Sequence, residues 1–317
     1  ICAVMDPKMS RRRKSGQLVN GWVILDKPAG MTSTSAVSAV RRQLDARKAG
    51  HAGTLDPLAT GVLPIALGEA TKTLPYVVDG EKSYQFTLRW GVATTTDDEE
   101  GEPVEWSNVR PSRPKIETAL SAFVGEIEQV PPIFSAIKVD GERAYNIARR
   151  GDNVTLAPRR IWIESFRLLD ELDNNHARFA VVSGKGAYMR SLARDLARRL
   201  GTVGHIAQLR RTAVGGFREA GAISLDELKG FRQSPATFEG LLPVETPLDD
   251  IPALALTEQE EVRLRNGQPV PLLKKADFER ISAFGEGEIV IATAMGKLVA
   301  LTKYSAGEVR PVRVLNI

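Results

Sequence analysis

The sequence predicts an α+β protein. It should hold a mixed, largely antiparallel sheet with flanking helices, followed by a small β-rich C-terminal domain. Three observations carry this expectation. Segments with a two-residue apolar period are interspersed with segments of helical period. Strand segments follow one another through turn signals, as at Asn174-Asn175 between IWIESFRLLD and ARFAVVSG, which suits antiparallel pairing. A proline-bearing acidic stretch from Leu242 to Pro252 then separates a tail of short strands from the main body.

Taken in order, GWVILDKPAG reads as a strand ending at Lys27-Pro28. Ser33 to Ala46 reads as a helix, with Val37, Val40 and Leu44 at helical spacing. HAGTLDPLATGVLP, from His51 to Pro64, is a glycine-broken loop, and LPIALG a short apolar strand. KSYQFTLRWG alternates, with Tyr84, Phe86, Leu88 and Trp90 on one face and Ser83, Gln85, Thr87 and Arg89 on the other. ATTTDDEEGEPVEW reads as a polar connection, Lys115 to Phe123 as a helix, and EQVPPIFSAIKVDG as a Pro-Pro break before a short strand. After the Asn174-Asn175 strand pair, Ala187 to Leu200 is helical and ends at Gly201. Past the boundary come a helix over Thr257 to Asn266 and strands in ERISAF, EIVIATAM, LVALTKY and VRPVRVLN. The expected division is a disordered basic tail over 1–19, a main domain over 20–248 and a small domain over 249–317.

With 317 residues, 43% of them hydrophobic, the chain can bury a substantial core. No run of 18 apolar residues exists, so no membrane-spanning helix is expected. Cys2 is the single cysteine, which rules out an intramolecular disulfide and makes a cytosolic setting the simple expectation. Net charge is +4 and unevenly spread. Eight basic residues and one acid, Asp195, lie between Lys185 and Arg218, and the spacing of Arg190, Arg194 and Arg198 puts them on one helix face. Arg11 to Lys14, Arg41-Arg42, Arg47-Lys48, Arg149-Arg150 and Arg159-Arg160 add further clusters, while the acidic run Asp97 to Glu102 sits apart. This pattern points to a polyanionic partner. Phosphate-loop, dinucleotide, CxxC and GxSxG motifs are missing, and His51, His176 and His205 are isolated from one another. A carboxylate is the remaining candidate for covalent chemistry.

Asp56 is the carboxylate in question. Locally, Asp56-Pro57 could simply cap and open a helix. Such a helix would meet Gly61 after one turn and Pro64 soon after. The density of Gly50, Gly53, Gly61 and Gly68 instead suggests a backbone that something must approach closely.

GHAGTLDPLATGVLP resembles the catalytic motif of the TruB family of tRNA pseudouridine-55 synthases. Four further blocks resemble that family in the same order: GWVILDKPAGMTS, GEATKTLPYVVDGEKSY, PPIFSAIKVDGERAYNIARRG and VSGKGAYMRSLARDLARRLG. One departure is Ala52, where many relatives carry Thr; both are small. From about Leu254 the chain resembles a PUA-type RNA-binding domain.

The resemblance implies isomerisation of uridine 55 in the T loop of tRNA to pseudouridine, with the target nucleotide flipped out of its stack and no cofactor or metal. It implies that Asp56 is the essential aspartate and that Arg190 grips it through a bidentate contact; apart from the resemblance, Arg190 reads equally as a solvated charge or a phosphate contact. It implies that Tyr84 stacks on the uracil and takes part in proton transfer, although alternation alone places Tyr84 in the core beside Phe86. It further implies that Tyr188 lines the pocket with Leu209 as an apolar contact, and that His51 fills the gap left by the flipped base. Lys27 is read as structural or phosphate-facing. A tRNA partner, a monomer and a cytoplasmic location follow from the same reading. The competing readings are a tRNA-binding folding chaperone without chemistry, and an N-glycoside hydrolase that would release free uracil.

Overall fold

A computed structural model describes residues 16–139, 141–152, 154–230 and 240–317. The main body opens with β1 (Gly21–Lys27), α1 (Ser33–Gln43), β2 (Ala49–His51) and β3 (Thr60–Leu67), then α2 (Leu74–Val78) and β4 (Lys82–Trp90). A small hairpin, β5 (Val92–Thr94) and β6 (Pro103–Trp106), precedes α3 (Arg113–Leu120) and β7 (Gly125–Gln129). Next come β8 (Lys138–Val139), β9 (Glu142–Arg143), α4 (Ala144–Arg149), β10 (Arg159–Asp173), β11 (His176–Ser183) and α5 (Met189–Arg199). The body closes with β12 (Gly204–Val214), β13 (Phe217–Arg218) and α6 (Leu225–Gly230). The C-terminal part holds β14 (Ala253–Ala255), α7 (Glu258–Arg265), β15 (Val270–Pro271), α8 (Asp277–Ile281), β16 (Ile289–Ala294), β17 (Lys297–Ser305) and β18 (Glu308–Val314).

The large sheet runs β1-β3-β12-β4-β11-β10-β7, with β2 attached to β3 and β13 to β12. All its pairings are antiparallel except β12 with β3. The predicted α+β class with a largely antiparallel sheet is therefore what the chain adopts. Alternation along the strands divides the core. In β1, Val23 and Leu25 pack with α1, α3 and α5 on one face, while Trp22 and Ile24 pack on the other. That second face is covered by the C-terminal part: Ile291, Leu298, Leu301 and Leu315 share a buried cluster with Trp22, Ile24 and Val62. The five-stranded C-terminal sheet also has a core of its own around Leu254, Leu264, Val290, Val299 and Val309.

Local chemistry accounts for most boundaries. The Thr32 hydroxyl caps α1 by accepting from Ser35 N at 3.1 Å. Helix α7 carries a capping box between Thr257 and Glu260. Four expectations need correction. No helix follows Asp56; its carbonyl instead accepts from Ala59 N at 3.1 Å in a turn. ATTTDDEEGEPVEW forms the β5–β6 hairpin, not a plain connection. The expected strand at ERISAF is helical through Ile281, because Asp277 accepts from Lys274 N and pairs with Arg280 one turn on. Of the tail expected to be disordered, 1–15 lies outside the described residues, while Gln17 N donates to Asp45 O at 2.6 Å and Val19 is buried. The central strand β12 was not expected at all.

Candidate active site

The site is built where the large sheet divides. The C-terminal half of β3 pairs with β2 (Ala49↔Leu67 to His51↔Ile65), and its first residues pair in parallel with β12 (Thr60↔Arg210, Gly61↔Arg211). The chain between β2 and β3, residues 52–59, is thrown out as a loop, and Asp56 sits on it. Gly61 allows the close approach of β12. Its φ is +99°, and a Cβ there would lie 2.2 Å from the Arg211 carbonyl oxygen.

The loop is pinned on both sides of Asp56. The Arg211 guanidinium donates to the carbonyls of Gly53 (3.1 Å), Thr54 (3.4 Å) and Val62 (2.8 Å). The Ser33 hydroxyl donates to Leu55 O at 2.9 Å and accepts from Leu55 N at 2.8 Å. Pro57 O accepts from Lys27 Nζ at 3.2 Å and from Gly30 N at 2.9 Å. The Asp56 side chain itself stays open, 33% exposed. Lys27 also donates to Pro28 O and Met31 O, so it faces backbone and not phosphate, and of its two expected roles the structural one holds. Burial pulls the Lys27 ammonium down to about 8. Burial likewise draws Arg211 below the usual arginine range.

Arg190, near the start of α5 and 5% exposed, donates through Nε to Asp56 Oδ2 at 2.9 Å. The expected bidentate grip is not formed. Nη1 is used by Thr96 O (3.0 Å) and Nη2 by Phe134 O (2.9 Å), which fixes the guanidinium plane with Nε directed at the carboxylate. A second carboxylate, Asp98, lies 3.6 Å from the same Nε and is buried. The acidic run is therefore not apart from the basic helix. Asp97 pairs with Arg194 at 2.8 Å, Arg194 also pairs with Asp195 at 2.9 Å, and Glu99 bonds His205 at 2.9 Å. Arg190 and Arg194 point inward to this hairpin, while Arg198 and Arg199 are exposed. The uniformly basic outer face expected for this helix does not exist.

The other expected site residues are placed as follows. Tyr84 on β4 lies opposite Arg211 on β12 and is half-buried at the edge of the Phe86 core, where alternation places it. Tyr188 caps α5 from the position two residues before Arg190. Its backbone is held on both sides by Gln129, whose amide donates to Tyr188 O at 3.1 Å and accepts from Tyr188 N at 2.8 Å. Burial and the Asp56 charge raise the Tyr188 phenol above its ordinary value. His51 ends β2 at the root of the loop, with Nδ1 buried and without a hydrogen-bond partner; burial, then Arg211, lower its basicity. Leu209 is buried in the main core, in register with Phe86, and is not an open pocket wall. Sequence reasoning missed Ser33, Asp98, Gln129 and Arg211. Only Arg211 carried a signal, a second arginine within the apolar frame LRRTAV.

The arrangement presents one oriented carboxylate, ion-paired on one side and open on the other, on a backbone that cannot shift. It suits a nucleophile or an anionic stabiliser. Residues 41–189 match the TruB family pseudouridylate synthase N-terminal domain, and 190–249 match the tRNA pseudouridylate synthase B C-terminal domain. The chain is 52% identical over 307 residues to tRNA pseudouridine synthase B of Caulobacter vibrioides, covering 96% of this chain and 99% of that one. It is 53% identical over 309 residues to the protein of the same name from Rhodospirillum rubrum, covering 98% and 100%. In structure it is similar to a chain of a Cbf5-Nop10-Gar1 complex, with a TM-score of 0.70 and 26% identity over 94% of this chain and 85% of that one.

Proposed function

The chain belongs to the TruB family of pseudouridylate synthases, and from that premise we propose that it converts uridine 55 of the tRNA T loop to pseudouridine. The C1′–N1 bond breaks, the uracil turns, C1′ bonds to C5, N1 gains a proton and C5 gives up its own. The single observation that carries the assignment of roles is the Arg190–Asp56 ion pair at 2.9 Å on a loop pinned at Gly53, Thr54, Leu55 and Pro57. Asp56 works on the flipped-out nucleotide as nucleophile at C1′ or C6, or as the group that assists loss of the 2′ hydrogen. Arg190 aims it. Tyr84 stacks on the uracil and handles its proton, Tyr188 lines the pocket, and His51 occupies the place of the departed base.

Residues 249–317 form the second RNA-binding unit, supported by the exposed Lys274, Lys275 and Lys297 on its surface. Exposed Arg41, Arg42, Arg47, Lys48, Arg198 and Arg199 contribute phosphate contacts. The protein acts as a monomer in the cytoplasm. One chain supplies Asp56, Tyr84 and Arg190, and no helix among the described residues is long and apolar enough to cross a membrane.

The test is incubation with unmodified tRNA tritiated at uracil C5. Tritium should be released with no free uracil. Release of uracil would make the protein a hydrolase, and binding with no release at all would make it a folding chaperone.

A further inference from the structure

His205 is buried to 2% exposure and lies on β12, away from the substrate side chains. Its two ring nitrogens both face acceptors: Nδ1 lies 2.7 Å from Val92 O, and Nε2 lies 2.9 Å from Glu99 Oε2. A neutral imidazole has one N–H and can satisfy one of them; satisfying both takes the imidazolium. The two acceptors are the two ends of one segment. Between them lie Thr96, whose carbonyl accepts from Arg190; Asp97, which pairs with Arg194; and Asp98, 3.6 Å from Arg190. Glu99 N to Ile206 O (3.0 Å) and Ile206 N to Asp97 O (3.1 Å) stitch the same segment to β12 beside the ring.

We propose that His205 is a positioning residue for the reaction, an imidazolium that fastens both ends of the acidic hairpin on which Arg190 rests and so aims Asp56. This deepens the catalytic reading above and rests on it. The charged groups around the ring are few. Glu99 contacts it directly. Arg89 on β4 is in register with His205 and lies 3.6 Å from the other Glu99 oxygen. Asp97 and Asp98 on the hairpin are turned toward Arg194 and Arg190 on α5. Loss of the ring leaves Val92 O and Glu99 without the side chain that joins them, and the segment that orients Arg190 comes loose.

The test compares wild type, His205→Phe, Glu99→Ala, Glu99→Gln and Asp56→Asn by tritium release at saturating tRNA, with kcat and KM measured across pH. His205→Phe and Glu99→Ala should lower kcat roughly tenfold to a hundredfold while KM moves only a few-fold, because the aim of Asp56 changes and the RNA surface does not. Glu99→Gln should recover much of the loss, since an amide N–H can donate to Nε2 of a neutral ring whose Nδ1–H still serves Val92.

Wild-type kcat in Glu99→Ala, or a Glu99→Gln protein as impaired as Glu99→Ala, would overturn the proposal. If His205→Phe does not fold, the Glu99 pair decides alone, because that side chain is 48% exposed and tolerates exchange. Full activity in Asp56→Asn would sink the catalytic reading itself. An inactive Asp56→Asn beside a fully active Glu99→Ala would sink only the role of His205.

Discussion

Asp56 is a free side chain on a captive backbone, and the two properties have separate causes. Arg211, Ser33, Lys27 and Gly30 hold its neighbours, while Arg190 alone holds its carboxylate. Asp56→Asn should therefore melt close to wild type, bind tRNA within a few-fold, and lose turnover by roughly a thousandfold or more. A melt paired with tritium release on one sample checks this. Near wild-type turnover would remove the carboxylate from the chemistry. Lys27 allows a second prediction. Its ammonium titrates near 8 in the fold against 10.5 in the unfolded chain, so between those values the unfolded state binds more protons and stability rises with pH. Compared with Lys27→Met, wild type should gain a few kcal/mol in denaturant unfolding as pH climbs from about 8 toward 10.5. A constant difference across that window would contradict the burial assignment. The pairing of Asp56 with Arg190 was legible from motif resemblance, and the place of Tyr84 beside Phe86 from alternation. Arg211 and Lys27 were not legible as buried cations, because their residue types argue for the surface and only the three-dimensional arrangement of carbonyls reveals the exception.

Helix α5 shows what charge counting on one element misses. Arg190, Arg194 and Arg198 share a face by spacing, yet the first two are consumed by Asp56, Asp97, Asp98 and Asp195. Replacing Arg194 by Ala should leave the slope of log Kd for tRNA against log salt unchanged, whereas losing Arg198 and Arg199 should lower it, by up to about one unit per lost phosphate contact. An equal change from both variants would return Arg194 to the RNA surface. Strand β12 was hidden for a related reason. GHIAQLRRTAV interrupts its apolar pattern with Gln208 and two arginines, and partners that accommodate the arginines, Asp26 for Arg210 and the Val62 carbonyl for Arg211, are remote in sequence. The β12–β3 crossing is also the most sensitive backbone contact at the site. Gly61→Ala meets both a left-handed φ and a carbonyl at 2.2 Å, and should destabilise by about 3 kcal/mol or more and abolish activity. A Gly61→Ala protein that melts like wild type would mean the strands are not this close.

Across the whole molecule, the expected small β-rich part is present, but it is not an appendage. It covers one face of the large sheet through Ile291, Leu298, Leu301 and Leu315, and Glu69 clasps it by accepting from Asn316 N at 2.8 Å while Lys72 donates to Val314 O at 2.7 Å. Deleting residues from Leu254 onward should therefore uncover apolar sheet and lower the melting temperature, and the intact protein should unfold in one calorimetric transition. Two separated transitions would show that the halves are independent. Pattern reading found these strands but not their docking, because an apolar run buried on both faces reads the same whichever layer covers it. The sheet order has a further consequence, for synthesis. β12 lies between β3 and β4 in space, yet it follows both in the chain, after β5 to β11 and α5. A ribosome that has not yet passed Gly204 therefore carries two unfinished sheets, each with an open edge, and an Asp56 loop with no Arg211 to tie it down. The active centre is assembled late, when one strand zips the two partial sheets together, and until that moment the nascent chain has both edges to keep from neighbouring polypeptides.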